Sequence, residues 1–433
     1  MKQKHILLLA CTMAATSLGL HAQDSPLLND YRTLVETYSP DLRAAQHAAG
    51  AGQEARQSAH ADFLPKLSGG ANFNYTGNPL RLDVNLPGTD AAYTFEGRDM
   101  KYGASLNLSQ PLYTGGALRA GYDKARAEEA MARQEVQRVT NNLRHEADVR
   151  YWTSVARLEL AGVAGDYRRA VEQLVDVVRH RVEQEYTDRN DLLMAEVRLN
   201  DANYQVQRAR NEAEVARLSL NALAGYPADR HIATDTLVAA LSTVQPMPLG
   251  VDAALARRPE MSQAELNVSA RQSAARVANA RYLPQLSIGV DGSYSSPGYD
   301  FHSDLDPNYA IYAKLSVPIF EWGKRRHTRN MGRYQVDMAR EQRTLVADGL
   351  RLEVETAWCN YTQAVEQVRL TESSLRKAAE SETLAMDKYR EGSISIVEAI
   401  NAQLYHQEAR QNHIQAKLNA CLAKSALDRA CGE

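Results

Sequence analysis

One stretch of this sequence, from Leu118 to Leu223, is far longer than a helix of a globular domain, yet it contains nothing that stops a helix. No proline occurs between Pro111 and Pro227. Helices of globular domains average three or four turns. A polar cluster at 186–191 marks the best place for a turn. The stretch therefore predicts a long helical hairpin whose first arm is about 100 Å long at 1.5 Å per residue.

The second arm of this hairpin carries a small or apolar residue at every third or fourth position. This spacing is typical of a helix that packs along a coiled-coil seam. The seam consists of Leu192, Ala195, Leu199, Ala202, Val206, Ala209, Ala213, Ala216, Leu220 and Leu223. Because half of these residues are alanines, the partner helix must approach closely, and we predict an antiparallel coiled coil.

The hairpin and the segments before it occur twice. Adding 207 to the number of Pro111 gives Pro318. Nearer the amino terminus the offset is 219, because Pro40 corresponds to Pro259. One length difference of twelve residues between the two copies reconciles both offsets. The chain is therefore a two-fold internal repeat whose period is much longer than that of a solenoid.

This repeat divides the sequence into four parts. Residues 1–22 have the features of a secretory signal peptide, 23–226 form the first copy, 227–257 a connector and 258–433 the second copy. We expect the two helical hairpins to cover 117–224 and 324–430. We expect the connector to lie outside the helices and to carry no chemistry.

The leader has the pattern of an export signal. Lys2 and Lys4 precede an apolar run, and Ala22 ends a cleavage site of small residues. Cys11 also falls in a pattern that weakly resembles a lipoprotein cleavage site. Removing Lys2 and Lys4 changes the formal net charge from −3 to −5. A mildly acidic chain argues against nucleic acid as a partner, because nucleic acid requires a basic face.

Four segments show the alternation of β-strands, two in each copy. The predicted strands are 64–75, 102–112, 283–294 and 309–319. The segments between them, 76–101 and 295–308, are predicted to be polar loops.

The strands pose a physical problem in an exported chain. Their length and aromatic content suit an outer-membrane barrel. A sheet in lipid cannot keep open edges, because unsatisfied backbone groups are costly in hydrocarbon. Four strands cannot close, so the chain must oligomerise: two copies would give eight strands and three would give twelve. The alternative is a small soluble β-domain that caps a coiled coil.

The junctions between strands and helices carry distinctive sequences. Pro-Leu-Tyr-Thr-Gly-Gly stands at 111–116, Pro-Ile-Phe-Glu-Trp-Gly-Lys at 318–324, and the second hairpin tip reads Tyr-Arg-Glu-Gly-Ser-Ile-Ser-Ile-Val-Glu at 389–398. In this duplicated order they resemble the TolC family of outer-membrane efflux proteins across essentially the whole mature chain.

This resemblance implies a fold and an assembly. The fold is mainly α with a membrane β part, built as a homotrimer with a twelve-stranded β-barrel and a twelve-helix periplasmic tunnel. The protein would lie in the outer membrane of a Gram-negative bacterium. It would bind lipid there, a periplasmic adaptor and an inner-membrane pump of RND or ABC type, and need no cofactor. It would act as a passive duct opened at its periplasmic tip.

The resemblance also implies roles for individual residues. The constriction at the tip would contain Asp191, Tyr389, Glu398 and Asn401, although Asn401 stands where some members carry a second acid and Ile394 where some carry an arginine. The adaptor would contact the tip, and the elbows would join strands to helices. The adaptor-contact residues are Gly392, Ser393, Ser395 and Glu185, and the elbow residues are Pro111, Gly115, Gly116, Pro318, Trp322 and Gly323. An alternative role for Asp191 and Glu398 is capping of helix N-termini.

Other chemistry has little support. His406 and His413 lie two helical turns, or about 10 Å, apart, so they cannot share one metal ion unaided and we expect them to be solvated or to face the lumen. Cys359, Cys421 and Cys431 match no metal or disulfide pattern and are expected to be buried or half-buried. No nucleophile, zinc-protease or phosphate-loop motif occurs. We therefore predict no enzyme and no metal site.

Two alternatives share many of these features. A duct for type I protein secretion has the same fold and differs in its pump. A periplasmic coiled-coil scaffold or lipoprotein without a channel would keep the helices and lose the membrane role.

Overall fold

A computed structural model describes residues 25–79, 81–85, 92–246, 250–297 and 304–432. The predicted signal peptide at 1–22 and Cys11 lie outside the described residues, as do parts of the segments 76–101 and 295–308. The fold is mainly helical, with strands in both copies of the repeat. None of the helices in the described ranges is long and apolar enough to cross a lipid bilayer.

The elements follow the same order in the two copies. The helices are α1 Pro26–Tyr38, α2 Pro40–Ala61, α3 Ala117–Glu183, α4 Arg189–Leu223, α5 Val251–Arg257, α6 Pro259–Ala280, α7 Lys324–Glu391 and α8 Ile396–Cys431. The strands are β1 Lys66–Tyr75, β2 Arg81–Asn85, β3 Ala92–Glu96, β4 Met100–Thr114, β5 Gln285–Ser296 and β6 Asp306–Ser316.

The chain forms two compact units. The described part of the first, here the helical unit, covers 25–38, 146–244 and 363–422. The second, here the sheet unit, covers 39–145, 245–362 and 423–432 of the described chain.

The helical unit contains an aromatic core around α1. Tyr31 and Tyr151 are fully buried, and their ring centroids lie 5.9 Å apart. The hydroxyl of Tyr31 donates to the carbonyl of Leu220, 2.9 Å away, so this buried phenol is satisfied. Arg32, the next residue of α1, makes a two-pronged ion pair with Asp148, at 2.6 and 2.8 Å. Charge-assisted pairs of this geometry orient a helix as well as stabilise it.

The predicted seam of α4 is found in the helical unit. Each of its ten positions is buried or half-buried, and Ala195 and Ala202 are fully buried. Ala202 packs against Tyr167 and Val171 of α3. The small side chains thus permit close contact between the two arms, as their spacing predicts.

The connector packs against the helices. Its described residues form no strand and only the short helix α5. Side chains of the neighbouring helices therefore bind its backbone groups. The hydroxyl of Tyr151 donates to the carboxylate of Asp235 at 2.9 Å and accepts the backbone N–H of the same residue at 3.0 Å. Glu159 accepts the backbone N–H of Val238 at 2.9 Å with one oxygen and binds Lys417 at 2.8 Å with the other. The carboxylate of Glu159 therefore connects α3, α8 and the connector.

The sheet unit contains a four-stranded antiparallel sheet in the order β1-β4-β5-β6. Its central pair, β4 and β5, joins the first copy of the repeat to the second. Leu67 of β1 pairs with Leu108 of β4, Leu108 pairs with Val290 of β5, and Val290 pairs with Ile311 of β6. Because paired residues point to the same face, this register gathers the apolar residues of all four strands on one face.

The segment 76–101 was predicted to be a polar loop, and this prediction is wrong for part of it. The strands β2 and β3 pair there as a separate antiparallel hairpin. Arg81 forms an ion pair with Glu96 across the strands at 2.8 Å, and Thr94 donates to Asp83 at 2.6 Å. These polar cross-strand pairs help to stabilise the hairpin, and in the same register Leu82 pairs with Phe95 and Val84 with Tyr93. The apolar alternation covers only two residues in each strand, so it is too short to distinguish the strands from a polar loop.

The strand β6 differs from the predicted 309–319 at both ends. It begins at Asp306 and ends at Ser316, so Val317 to Ile319 are not in a strand although their apolar pattern continues. Pro318 lacks an N–H to donate to a ladder, and this favours termination of the strand before it.

We predict that neutralising Glu159 destabilises the helical unit. Its side chain is 11 % exposed and that of its partner Lys417 is 9 % exposed. The change Glu159→Gln leaves a buried ammonium without its counter-charge, which should cost about 3 kcal/mol of unfolding free energy. Thermal unfolding of the purified protein, followed by circular dichroism, measures the loss.

Glu172→Gln, in the same helix α3, is the matched control. Glu172 lies 3.8 Å from Arg168, and both side chains are well exposed, so its loss should cost less than about 1 kcal/mol. Equal losses for the two changes would show that the pair of Glu159 and Lys417 does not anchor the connector.

Candidate membrane surface and hairpin tips

One face of the sheet is apolar and exposed to an extent unusual for a soluble protein. Leu67 is 70 % exposed, Phe73 66 %, Leu106 61 % and Ile311 76 %. The registers given above place these residues on the same face. Contiguous exposed apolar surfaces of this kind mark interaction with a partner or with a membrane.

The opposite face of the sheet is polar. Asn107 of β4 donates to Asp291 of β5, its direct cross-strand neighbour, and lies 3.3 Å from the hydroxyl of Tyr312 on β6. Ser105 and Ser293 pair on the same face. One apolar and one polar face along every strand is the pattern of a membrane strand that faces lipid on one side and water on the other.

The sheet has two open edges. The strand β1 pairs only with β4, and β6 pairs only with β5 among the described strands. Every residue of β1 is exposed. Each edge thus presents a row of backbone donors and acceptors that can pair with another strand.

The predicted elbow residues form two turns of closely similar backbone. Gly115 and Gly116 have φ of 63° and 84°, and Trp322 and Gly323 have φ of 47° and 79°. A side chain at Gly115 would lie 2.5 Å from the carbonyl oxygen of Ala280, so only glycine fits there. Trp322 adopts the left-handed conformation in open space, with its side chain 89 % exposed.

The two predicted elbow prolines differ in their surroundings. Pro111 lies within β4, where the register with β5 shifts between Pro111 and Tyr113. A bulge at this point accommodates the missing N–H. Pro318 follows the end of β6 and precedes Phe320 and Trp322, whose rings lie 5.0 Å apart.

Side chains from both hairpins pack together at the tips in a single apolar cluster, here the tip cluster. Tyr389, which the resemblance assigns to the constriction, is 3 % exposed within it. The guanidinium of Arg181, from the other hairpin, lies over its ring, 4.9 Å from the centroid. The tip cluster comprises Leu174, Val175, Val178, Ala195, Tyr389, Ile396, Ala399 and Ile400.

The turns at the two tips have the same geometry although their residues differ. Glu185 has φ of 59° and its counterpart Gly392 has φ of 80°. In each turn an N–H donates to a carbonyl five residues earlier, from Tyr186 to Arg181 and from Ser393 to Lys388, both at 2.9 Å. This is the helix ending that favours glycine in the left-handed position. The first copy instead places a glutamate there, at a conformational cost.

The acids of the predicted constriction lie in the first turns of α4 and α8. The N–H of Glu398 lies 3.4 Å from the hydroxyl oxygen of Ser395, which caps α8. Asp191 accepts a hydrogen bond from Thr187 just before α4. Both acids therefore occupy the position that stabilises a helix N-terminus, and Ser395 with Glu398 has the spacing of a capping box.

A groove on the second hairpin brings two predicted site residues together. It has a volume of about 620 Å³, and Glu398 and Asn401 of α8 line it together with Leu384 of α7. Its border also carries Lys377 and Lys388. Glu398 and Asn401 are exposed, whereas Tyr389 points into the tip cluster.

The structure places both histidines in half-buried positions, and their predicted exposure to solvent or to the lumen stays a prediction. His406 is half-buried and its Nδ1 contacts the carboxylate of Glu382 on α7. His413 is half-buried beside the hydroxyl of Thr371, at 3.2 Å. Burial, followed by the charge of Lys417, lowers the pKa of His413 below its ordinary value. Both imidazole rings lie in the interface between α7 and α8.

The cysteines divide between two environments. Cys421 and Cys431 are buried as predicted, and burial raises the pKa of Cys421 to about 12. Cys359 is exposed, contrary to the prediction. Within the described ranges, no group of three or more His, Cys, Asp and Glu side chains has a geometry that could hold a metal ion.

No pattern in the sequence indicates that Arg181 is part of the tip. It contacts Tyr389 across two hairpins that are separated by about half of the chain, so no local motif contains both residues. A basic residue in the last turn of α3 is otherwise explained by the helix dipole. Only the packing of α3 against α7 gives Arg181 a second role.

The profile of the outer membrane efflux protein family matches residues 34–226 and 250–433. The chain therefore belongs to this family, which confirms the resemblance to TolC-type proteins. It is an outer-membrane duct of an efflux system, a passive channel and not an enzyme.

Similar proteins agree with this assignment. The pyoverdine export outer membrane protein OpmQ of Pseudomonas putida is 24 % identical over 414 residues, which cover 94 % of this chain and 86 % of OpmQ. The alkaline protease secretion protein AprF of Pseudomonas aeruginosa is 25 % identical over 308 residues, or 69 % of this chain and 62 % of AprF. A crystal structure of the open state of the MtrE outer membrane channel of Neisseria gonorrhoeae has a TM-score of 0.79 at 18 % identity, covering 94 % of this chain and 89 % of MtrE.

We predict that Glu185→Gly stabilises the first tip. Because a non-glycine residue in the left-handed region costs about 1–2 kcal/mol, the change should raise the unfolding free energy by about 1 kcal/mol. Hydrogen exchange of the amides around the turn, measured by mass spectrometry, should slow accordingly.

Glu183→Gly, two residues earlier in the last turn of α3, is the control. It removes the same charge from a helical position and should accelerate exchange, because glycine costs about 1 kcal/mol in a helix. If both changes slowed the exchange, or both accelerated it, the backbone conformation of Glu185 would not be the cause of the effect of Glu185→Gly.

Proposed function

We propose that three copies of this chain close their sheets into one twelve-stranded barrel in the outer membrane. The observation that supports this most directly is the combination of a lipid-compatible apolar face with two open strand edges. An unpaired backbone group costs several kcal/mol in hydrocarbon, so β1 of one copy must pair with β6 of another. The polar face, with Asn107 and Asp291, then lines the water-filled interior.

The helical hairpins, in this proposal, extend into the periplasm as a tunnel of twelve helices and narrow at the tips. Tyr389, Asp191, Glu398 and Asn401 form the constriction. Glu398 and Asn401 are exposed on each copy, so residues of neighbouring copies can face one another. The carboxylates would then bias the passage toward cations, in addition to capping their helices.

The tip has the properties of an element with two states. Two buried polar groups at the tip find no hydrogen-bond partner within the described residues: the hydroxyl of Tyr389 and the amide oxygen of Gln403. Each such group destabilises the packed state by about 1–3 kcal/mol. A periplasmic adaptor that binds the open state more tightly therefore has a smaller free-energy difference between the closed and open tips to overcome.

The adaptor, we propose, contacts the tip turns at Glu185, Gly392, Ser393 and Ser395. All four residues are exposed. Because the two turns share a backbone and differ in charge, the adaptor meets two similar but unequal sites on each copy. An inner-membrane pump of the RND or ABC type completes the system.

A duct for type I protein secretion is the second candidate, and the similarity to the secretion protein AprF favours it. The longer similarity to the pyoverdine export protein OpmQ favours export of a small molecule. Co-purification of the tagged protein from its native membrane distinguishes the two. An RND pump would support small-molecule efflux, and an ABC pump with a secreted polypeptide would support the alternative.

The assembly is tested by the mass and conductance of the mature protein extracted in detergent. We expect the mass of a trimer and ion conductance after reconstitution into planar bilayers. A monomer that does not conduct would refute both the barrel and the duct.

The role of Glu398 is tested by Glu398→Gln. Glutamine preserves the capping-box geometry but removes the charge, so helix stability should change little while the preference for cations falls. Single-channel reversal potentials in a salt gradient measure this preference, and we expect a clear shift toward zero.

Glu408→Gln, which removes an exposed acid from the same helix α8, is the matched control. It should leave the reversal potential unchanged. An unchanged potential for Glu398→Gln as well would eliminate the acidic constriction and leave capping as the role of Glu398.

A further inference from the structure

The start of α7 carries a concentration of positive charge that the fold does not use. Five basic side chains lie within six residues, and all of them are exposed. We call Lys324, Arg325, Arg326, His327 and Arg329 the basic cluster. Within the part of the chain that the structure describes, none of them makes an ion pair or a side-chain hydrogen bond.

Basic residues further along the same helix are paired in the ordinary way. Arg340 binds Asp337 at 3.1 Å, and Arg343 binds Glu265 at 2.8 Å. Arg351 lies 3.2 Å from a carboxylate oxygen of Asp252. Several cations further along α7 are therefore paired, whereas none of the five in the basic cluster is paired with a described residue.

The position of the basic cluster is also electrostatically unfavourable for the helix. Helix N-termini carry partial positive charge and favour acidic residues, yet the first turn of α7 contains none. A bound anion would remove this repulsion. The local sequence is thus better suited to an occupied helix start than to an empty one.

The first copy shows that the basic cluster is not needed to form the elbow. Adding 207 relates Ala117, Leu118 and Tyr122 to Lys324, Arg325 and Arg329. The helix α3 begins at Ala117 after the same glycine turn, with Arg119 at the counterpart of Arg326 and without the other four charges. Four of the five basic residues are therefore specific to the second copy.

Exposed apolar side chains precede the basic cluster directly. Ile319 is 94 % exposed, Phe320 69 % and Trp322 89 %. They follow the end of β6, whose Ile311 and Leu315 belong to the apolar face of the sheet. Aromatic residues next to such a face are typical of the boundary between lipid and water.

We propose that the basic cluster binds the headgroup phosphates of anionic phospholipids at the helix-side surface of the membrane. Ile319, Phe320 and Trp322 lie in the boundary between headgroups and acyl chains. The guanidinium groups of the cluster bind phosphate oxygens in pairs, as arginine does elsewhere. The inference rests on the outer-membrane location and does not depend on the gate at the tips.

The test uses native mass spectrometry of the full mature protein in detergent. The probes are phosphatidylglycerol and phosphatidylcholine with identical acyl chains, supplied in equal amounts. We expect the wild type to retain phosphatidylglycerol preferentially. The combined variant Lys324→Gln, Arg325→Gln, Arg326→Gln and Arg329→Gln should reduce this preference at least about tenfold, since each cation near an anionic surface contributes to binding.

The matched control removes four cations from the same helix: Arg333→Gln, Arg340→Gln, Arg343→Gln and Arg351→Gln. It should keep the preference. An unchanged preference in the cluster variant would overturn the proposal. So would loss of the trimer together with an unchanged preference, because the cluster would then bind a second copy. Displacement of the lipid by millimolar inorganic phosphate would also overturn it, by indicating a site for free anions.

A second measurement keeps the test decisive if the cluster variant does not fold. Brominated phosphatidylglycerol should quench the tryptophan fluorescence of the unchanged protein more strongly than brominated phosphatidylcholine does. Trp322→Phe should abolish the difference, because Trp152 is buried and the half-buried Trp358 lies about 54 Å further along α7 at 1.5 Å per residue. Equal quenching by the two lipids would contradict the proposal. Single-channel conductance should be unaffected by the cluster variant, so this result is independent of the duct.

Discussion

The pairing of β4 with β5 is the interaction on which the sheet depends. It is the only place in the described sheet where a strand of the first copy meets a strand of the second. Without it each copy would keep an isolated two-stranded hairpin, which is marginal in water and worse in lipid. With it the chain presents one four-stranded sheet, whose open edges are β1 of the first repeat and β6 of the second repeat.

The helical hairpins of the two repeats also depend on each other, here through side-chain packing and not through backbone hydrogen bonds. The tip cluster draws residues from α3, α4, α7 and α8, so neither hairpin buries its end alone. Small residues such as Ala195 and Ala399 allow the helices to approach, and Tyr389 supplies the bulk. The same packing buries the hydroxyl of Tyr389 and the amide oxygen of Gln403 without a hydrogen-bond partner among the described residues, so the tip combines close packing with modest stability.

Much of this fold follows from patterns with a clear physical period. The helices, the seam of α4 and the strands each follow a residue spacing that recurs many times within the element. The two-fold repeat shows the same patterns a second time. The hairpin of β2 and β3 escaped prediction because its apolar alternation covers only two residues in each strand, Leu82 and Val84 in β2 and Tyr93 and Phe95 in β3. It accounts for the length difference between the copies, because the offset of 219 holds up to β1 and that of 207 from β4 onward.

The candidate sites were less predictable than the fold. The acids at the tips could be located from their place beside a turn, but no local pattern indicates that Tyr389 is buried under Arg181. The half-burial of His406 likewise depends on Glu382, which belongs to a different helix. Contacts between residues far apart in sequence decide these environments.

The tandem organisation has a consequence for how such a protein can change. In an oligomer of identical single repeats, every substitution would appear in every repeat, and a feature useful at one position would be imposed on all the others. Joining two repeats in one polypeptide removes this restriction. One tip turn can then keep a glutamate while the other has a glycine, and the helix after one elbow can begin with five basic residues while its counterpart begins with one, Arg119. Duplication thus gives each half an independent evolutionary history within a shared architecture.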